Sequence, residues 1–464
     1  FIPAVGEKAV STFSIDVDTA SYANVRRFLS EGRLPPPEAV RIEEMVNYFQ
    51  YDYPQPAEEV PFSVDMEVAQ CPWNGEHKLL RIGLKGREIP REQRGPSNLV
   101  FLLDVSGSMQ DEDKLPLVKQ AMSMLVDELT EDDRVSIVTY ADGTEVRLPS
   151  TGGHDHTRIR NAIDALSAGG STYGSAGILL AYEQAAEHFV PGGVNRVILA
   201  TDGDLNVGIT DDDELVKLIK EKAKSGVFLT VLGFGTGNIK DAKLEKLADH
   251  GNGLYAYVDN FREARKVLVE QMSGSLVTIA KDVKVQIEFN PAEVRSYRLI
   301  GYENRVMAAE DFANDKKDAG EIGAGHTVTA LYEIVPDDTR PADGDAAGLK
   351  YQQAALPERN LSEAAASGEM ATLKLRYKLP DQRTSTPLEF AVKDAEKGFG
   401  EASADFRFAT AVATFGMVLR GSRHAGPLNL AAVEEFAAGA IGDDPGGFRT
   451  EFVDLVRRAR SLGR

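Results

Sequence analysis

The chain has 464 residues, 42% of them hydrophobic and 27% charged, with a formal net charge of −20. That length exceeds one ordinary core and points to about two or three domains. The acidic surface disfavours nucleic acid and anionic lipid as partners, no run of about 20 apolar residues offers a membrane span, and a single cysteine, Cys71, excludes an intrachain disulfide.

"STFSIDVDTASYANVRRFLSEGRLPPP" reads as a short strand and then a helix, with Thr19 or Ser21 as its cap and Gly32 and Pro35 at its close. "EAVRIEEMVNYF" is a second helix, with Ile42, Met45, Val46 and Phe49 on one face. In "FSVDMEVAQ", Phe62, Val64, Met66 and Val68 alternate, and "KLLRIGLKG" is the next strand. From Asn98 strand-like runs alternate with amphipathic helices. "NLVFLLD" precedes a helix carrying Leu115, Val118, Met122, Leu125 and Leu129. "RVSIVTYA" and "TEVRLP" flank the turn "DG". A helix near 157–166 is followed by one marked by Ile178, Tyr182, Ala185 and Phe189, then by the strand "NRVILATDGD". Helices near 211–224 and 241–249 bracket "GVFLTVLGFG", and "GLYAYV" and a helix from residue 261 end the series. Short apolar strands with intervening helices predict a doubly wound α/β domain.

Beyond it the period returns to two. Val283, Val285, Ile287 and Phe289 alternate, as do Val328, Ala330, Tyr332 and Ile334, and Leu373, Leu375, Tyr377 and Leu379. This predicts antiparallel sheet with one buried face. Residues 337–370 are polar and Ala-rich and are expected to be partly mobile. The expected organisation is an N-terminal helical segment at 1–60, a discontinuous β-sheet or sandwich domain from 61–97 and 274–400, the α/β domain at 98–273 inserted in it, and a C-terminal helical segment at 401–464. Insertion is the simplest arrangement because an isolated hairpin at 61–85 is marginal on its own, although a separate N-terminal hairpin is the alternative.

One stretch carries chemistry. In "FLLDVSGSMQ" an apolar strand runs into Asp104, with Ser106 and Ser108 on the loop beyond and Gly107 allowing a tight turn. Ligands of open α/β sheets bind beyond the carboxyl ends of the strands. Two other segments reach the same crest: "GGST" offers Thr172 and "LATDGD" offers Asp202, while Asp204 suits an orienting role in the loop. Hydroxyls and carboxylates without sulfur or imidazole suit Mg²⁺, Mn²⁺ or Ca²⁺.

"DVSGSM" resembles the metal-ion-dependent adhesion motif of the von Willebrand factor type A family, with Asp104, Ser106 and Ser108 in its first positions, Thr172 as its threonine and Asp202 as its last aspartate. The resemblance implies a Rossmann-like type A domain that binds a divalent cation, most simply Mg²⁺. In that family the serines and threonine approach the metal and the aspartates often act through water. An Asp or Glu carboxylate of a partner protein commonly completes the coordination, and no catalysis is implied. The flanks "STFSIDVDTASYANVRRFL", "PPPEAVRIEEMVNYFQYDYP", "DAGEIGAGHTVTALYEIVP" and "DFRFATAVATFGMVLRGS" resemble bacterial type A domain proteins with shared N- and C-terminal extensions, many of them exported lipoproteins. The expected location is therefore the bacterial cell envelope, with a lipid anchor upstream of Phe1. The competing readings are a structural envelope protein whose metal only stabilises the loops, and a Mg²⁺- or Mn²⁺-dependent hydrolase.

Other polar clusters have plainer explanations. His154, Asp155 and His156 in "GGHDH" lack further ligands nearby and read as a solvated loop, and His188 and His326 read as packing or surface residues. Asp16, Asp18, Thr19 and Ser21 end a strand and cap a helix, against the alternative of a second cation site. "NDKKDAGEIGAG" is a turn cluster, Cys71 a packing residue, and "RRAR" at 457–460 one face of a terminal helix.

Overall fold

The computed structural model describes all residues except 16, 58, 91–92, 171–176, 204–211, 236–240, 272–276, 304, 316, 318, 338–360 and 464. The expectations for Asp16, Thr172 and Asp204, and most of the Ala-rich stretch at 337–370, lie outside the described residues.

The chain opens with strands β1 (Ile2–Pro3) and β2 (Val10–Ser14) and helices α1 (Ala20–Ser30) and α2 (Ile42–Asn47). A hairpin follows, β3 (Phe62–Gln70) and β4 (Lys78–Gly86). Next come β5 (Ser97–Asp104), α3 (Leu115–Asp127), β6 (Arg134–Tyr140), β7 (Thr144–Gly152), α4 (His156–Asp164), α5 (Gly177–Glu187) and β8 (Val194–Thr201). They are followed by α6 (Asp212–Lys224), β9 (Phe228–Phe234), α7 (Asp241–His250), β10 (Tyr255–Val258) and α8 (Phe261–Arg265). The remainder is β11 (Thr278–Phe289), β12 (Val294–Leu299), β13 (Gly320–Gly323), β14 (Thr327–Pro336), β15 (Ala371–Lys378), β16 (Thr386–Val392), and helices α9 (Ala404–Leu419), α10 (Leu430–Ala438) and α11 (Phe448–Leu462).

The α/β unit is a six-stranded sheet in the order β10-β9-β8-β5-β6-β7, parallel except for the β6–β7 pair. Helices cover both faces, so β5 needs no polar side. Its Leu99, Phe101 and Leu103 enter the layer of α3, α4 and α8, while Val100 and Leu102 enter that of α5, α6 and α7. This explains the continuous apolar run. The chain leaves β5 for β6 on one side and later returns to β8 on the other. The order therefore reverses at β5, which is where such folds open a crevice.

The doubly wound unit is inserted in an antiparallel sheet domain, as its flanking patterns predict. β3 and β4, before it, share a sheet with β12 and β14, after it, in the order β1-β12-β14-β4-β3. β4 and β14 pair from Thr327↔Lys85 to Ile334↔Lys78. The second sheet runs β13-β11-β15-β16, with β2 also on β11. The two sheets enclose one core containing Leu80, Ile82, Leu84, Ile287, Phe289, Tyr332 and Leu373. Residues 1–60 thus contribute strands to both sheets as well as helices.

α1 and α2 pack with α9, α10 and α11 around Tyr22, Met45, Phe49, Phe408 and Phe452, against Leu79 and Leu331 on the outer face of the first sheet. Two local expectations change. Neither Thr19 nor Ser21 caps α1 through its side chain. The Glu44 carboxylate in α2 accepts the Ser21 N–H at 2.8 Å, and the Ser21 hydroxyl donates to Ala39 O at 2.7 Å. A tertiary acceptor has replaced the local cap. Phe189 lies beyond the end of α5 and is 40% exposed, because the helix stops at Glu187.

Candidate functional site

β5 and β8 end side by side, with Leu103 in register with Ala200. Asp104 and Asp202 therefore stand on the same crest at the reversal of strand order. Asp104 is fully buried, and its Oδ1 accepts the Ser106 N–H at 2.9 Å, which folds the loop back over the strand end. The Ser106 and Ser108 hydroxyls are 3.0 Å apart, Ser106 buried and Ser108 exposed. The two glycines of "GGST" dock on this loop: Gly169 N–H donates to Val105 O at 2.9 Å, and Gly107 N–H to Gly170 O at 3.0 Å. Thr172 itself lies outside the described residues. Gly107 is not in the left-handed region. It is required for close approach, since a Cβ there would lie 3.2 Å from Gly170 O.

The crest has uneven electrostatics. Burial pushes the Asp104 carboxyl up to about 6; hydrogen bonds from Ser106 oppose the shift and the Asp202 charge adds to it. Asp104 Oδ2 and Asp202 Oδ1 are buried and meet no donor in good hydrogen-bond geometry among the described residues, although the buried Tyr140 hydroxyl adjoins the Asp104 carboxylate. A cation not anticipated from the motif stands beside them. The Lys114 ammonium donates to Ser108 O at 2.8 Å and to Asp202 Oδ2 at 3.1 Å. Burial works against its charge, but Asp202, with Asp111 and Asp113, outweighs this and raises its pKa. The available signal was that Lys114 is the first basic residue after Asp104, at the end of the acidic run "DED".

The donor set fits a hard divalent cation: two buried carboxylates with orphaned oxygens, plus two hydroxyls on one loop. Among the described residues no group of three or more His, Cys, Asp and Glu is placed to hold a metal ion. The crest, with only two acids, is not such a group. A groove of about 660 Å³, lined by Met109, Leu115, Leu166 and Phe261 among others, adjoins the motif loop.

The lesser clusters have structural uses. Asp155 caps α4 by accepting the Arg158 N–H at 3.1 Å. Asp18 accepts the Tyr255 N–H at 3.0 Å and faces the Arg305 guanidinium at 3.4 Å, so an internal cation already sits there. Burial lowers the His326 pKa to about 4. It raises that of the Cys71 thiol to about 12, so this is no reactive thiolate. The stretch expected as a turn cluster at 314–325 includes strand β13 (Gly320–Gly323); its Asp315 accepts from Arg376 and Ser385, and Arg457 and Arg460 pair with Glu434.

Three family models match the chain in succession: "von Willebrand factor" at residues 2–81, "von Willebrand factor type A domain" at 98–271, and "Uncharacterized protein YfbK, C-terminal" at 274–462. The protein sll0103 of Synechocystis sp. (strain ATCC 27184 / PCC 6803 / Kazusa) is 32% identical over 206 residues, 44% of this chain and 48% of that protein. Among solved structures, a von Willebrand factor type A protein from Catenulispora acidiphila superposes with a TM-score of 0.44 at 15% identity, over 88% of this chain and 91% of that one. YfbK of Escherichia coli (strain K12) is 43% identical over 465 residues, 99% of this chain and 79% of that protein. The chain therefore belongs to the YfbK family of bacterial proteins, in which a von Willebrand factor type A domain sits between N- and C-terminal extensions.

Proposed function

We propose that the chain is a divalent-cation-dependent protein-binding module whose cation is held by Asp104, Ser106, Ser108, Thr172 and Asp202. The observation that carries this reading is the pair of buried carboxylates, Asp104 and Asp202, each with an oxygen that meets no well-placed donor among the described residues, at the carboxyl ends of β5 and β8. Mg²⁺ suits the few direct ligands, and Mn²⁺ or Ca²⁺ shares the oxygen chemistry. When bound, the ion supplies a positive charge that can accept a carboxylate oxygen from outside. Asp104 orients the loop through Ser106 N–H, and Ser106 and Ser108 direct hydroxyls to the crest. Ser108 is exposed, which leaves the crest open to an Asp or Glu of a partner protein. This gives an acidic protein a local attraction for acidic groups. We assign no catalytic step. Export to the cell envelope, with a lipid anchor, is part of the same proposal and rests on the resemblance of the flanks to exported bacterial type A domain proteins.

A structural reading is favoured by one observation: the Lys114 ammonium joins Ser108 O to Asp202 across the crest. Calorimetric titration with Mg²⁺, Mn²⁺ and Ca²⁺ separates the two when combined with capture from an envelope fraction. The proposal expects one ion per chain, lost in Asp104→Asn, and a partner retained in Mg²⁺ but lost in EDTA and in Ser106→Ala. A partner that binds equally in EDTA defeats the adhesive mechanism. The absence of any divalent binding defeats the cation site.

A further inference from the structure

A second site lies at the opposite end of the α/β sheet. A cavity of about 1030 Å³ opens between the amino ends of its strands and the sandwich domain. Arg196, near the start of β8, lines it and is only 5% exposed. Its Nη1 donates to Thr230 Oγ1 at 2.7 Å, and its guanidinium carbon lies 5.9 Å from the centre of the Phe228 ring. Its Nε has no partner among the described residues, and Glu321 acts on it only by longer-range attraction. Burial lowers its pKa to about 10, so it remains charged at neutral pH.

The acids on the cavity wall are engaged elsewhere. Glu88 pairs with Lys85 at 3.0 Å, Asp249 with Arg305 at 3.1 Å and Glu270 with Arg265 at 3.8 Å, while Glu321 accepts from Thr278 at 3.1 Å. Lys220, exposed on the same wall, adds a further cation beside Arg94, Arg305 and Lys317. A buried guanidinium without a carboxylate is costly in a native protein and stands out as a built recognition group. Ile15, Val17 and Leu254 give the same cavity an apolar wall. Its size falls at the upper end of small-molecule sites.

We propose that this cavity binds a small organic anion, with a carboxylate or phosphate head on Arg196 and an apolar body against Ile15, Val17 and Leu254. The head would pair with the guanidinium, which matches a planar or tetrahedral oxyanion. The site is independent of the cation crest. Removing the charge without the ligand present should relieve the protein, as at other sites where stability is given up for function.

The test uses the full chain in EDTA at constant ionic strength, with chloride as background. The probes are inorganic phosphate, hexanoate and the uncharged hexan-1-ol, scored by titration calorimetry and by the shift in melting midpoint. At least one anion should bind saturably and raise the midpoint; hexan-1-ol should not match it. Binding of phosphate alone assigns a phosphate head, and binding of hexanoate alone a carboxylate head. Arg196→Met should weaken binding about tenfold or more, while its probe-free midpoint stays at or above wild type. Arg196→Lys, which keeps the charge, should retain part of the affinity. The proposal is overturned if neither anion binds saturably, if Arg196→Met or Arg196→Lys binds as tightly as wild type, or if hexan-1-ol binds as well as hexanoate. A lowered midpoint for probe-free Arg196→Met also overturns it, since the guanidinium is then a packing element.

Discussion

Asp104→Asn should stabilise the metal-free protein and abolish its stabilisation by metal. The carboxyl is raised from its ordinary 3.8 to about 6, so at neutral pH its ionisation destabilises the folded state by about 3 kcal/mol relative to the unfolded chain. Asparagine keeps the shape and the acceptor for Ser106 N–H but has no charge to desolvate. It brings an amide donor that needs a new partner, which reduces the expected gain to about 1–2 kcal/mol. For a unit of this size that is a rise of roughly 3–6 °C in melting midpoint. The pH dependence has a definite sign. Because the folded pKa lies above the unfolded one, the Asp104 contribution is fully present below about 4 and is lost as pH rises through about 6. Wild type in EDTA should therefore lose stability from this group across that window, whereas the variant should not. In millimolar Mg²⁺ wild type should regain stability by mass action and the variant should stay unchanged. Calorimetric melts with and without Mg²⁺ read both effects. If the variant melts below wild type in EDTA, or if both gain equally with Mg²⁺, Asp104 is a structural residue and the reasoning fails.

Lys114→Met should lower stability in EDTA by about 1–3 kcal/mol, since it breaks the bonds to Asp202 and Ser108 O. It should also raise Mg²⁺ affinity severalfold, because no ammonium then competes at Asp202; titration calorimetry gives both the sign and the size. Arg26→Met should cost about 3–5 kcal/mol in urea unfolding. The Arg26 guanidinium, 5% exposed, is the shared partner of Asp259, Glu263 and Glu451, and its loss leaves three acids facing one another. Gly83→Ala should cost about 1–3 kcal/mol in the same assay. Its Cβ would fall 2.4 Å from the ring of Tyr53, which is buried and fixed by Thr329 at 2.8 Å.

The parts legible in sequence are those with a local period. β5 shows itself because both of its faces are covered, which leaves an unbroken apolar run ending at Asp104. β4 and β14 show themselves through alternation, and the need to partner β3 and β4 argues for insertion. What escaped depends on residues far apart in the chain. Glu44, not Thr19, serves the start of α1 because α2 packs across it. Lys114 is ten residues from Asp104, yet it meets Asp202 only after β8 has been laid beside β5. Arg196 looks like an ordinary residue at a strand start. Only the packed structure shows that no carboxylate among the described residues pairs with it directly.

The attachment of the α/β unit also bears on its use. Its links to the extensions gather on one edge. Ala20 and Ala23 of α1 pack into the layer against β10, and Asp18 accepts the Tyr255 N–H. Arg26 holds Asp259 and Glu263 around the start of α8, and Arg305 holds Glu245 and Asp249 on α7. These links are buried or half-buried, charged and reinforced from several elements, so they fix orientation more than they add stability. Asp104 and Asp202 lie away from that edge, on the central strands at their carboxyl ends. β8 alone spans from the Arg196 cavity to the Asp202 crest, about 20 Å at the usual strand rise. A clamp along β10, α7 and α8 thus leaves both ends of β8 accessible, one facing the sandwich domain and the other facing outward. That is the geometry expected of a unit held by its side so that its crest can meet a partner.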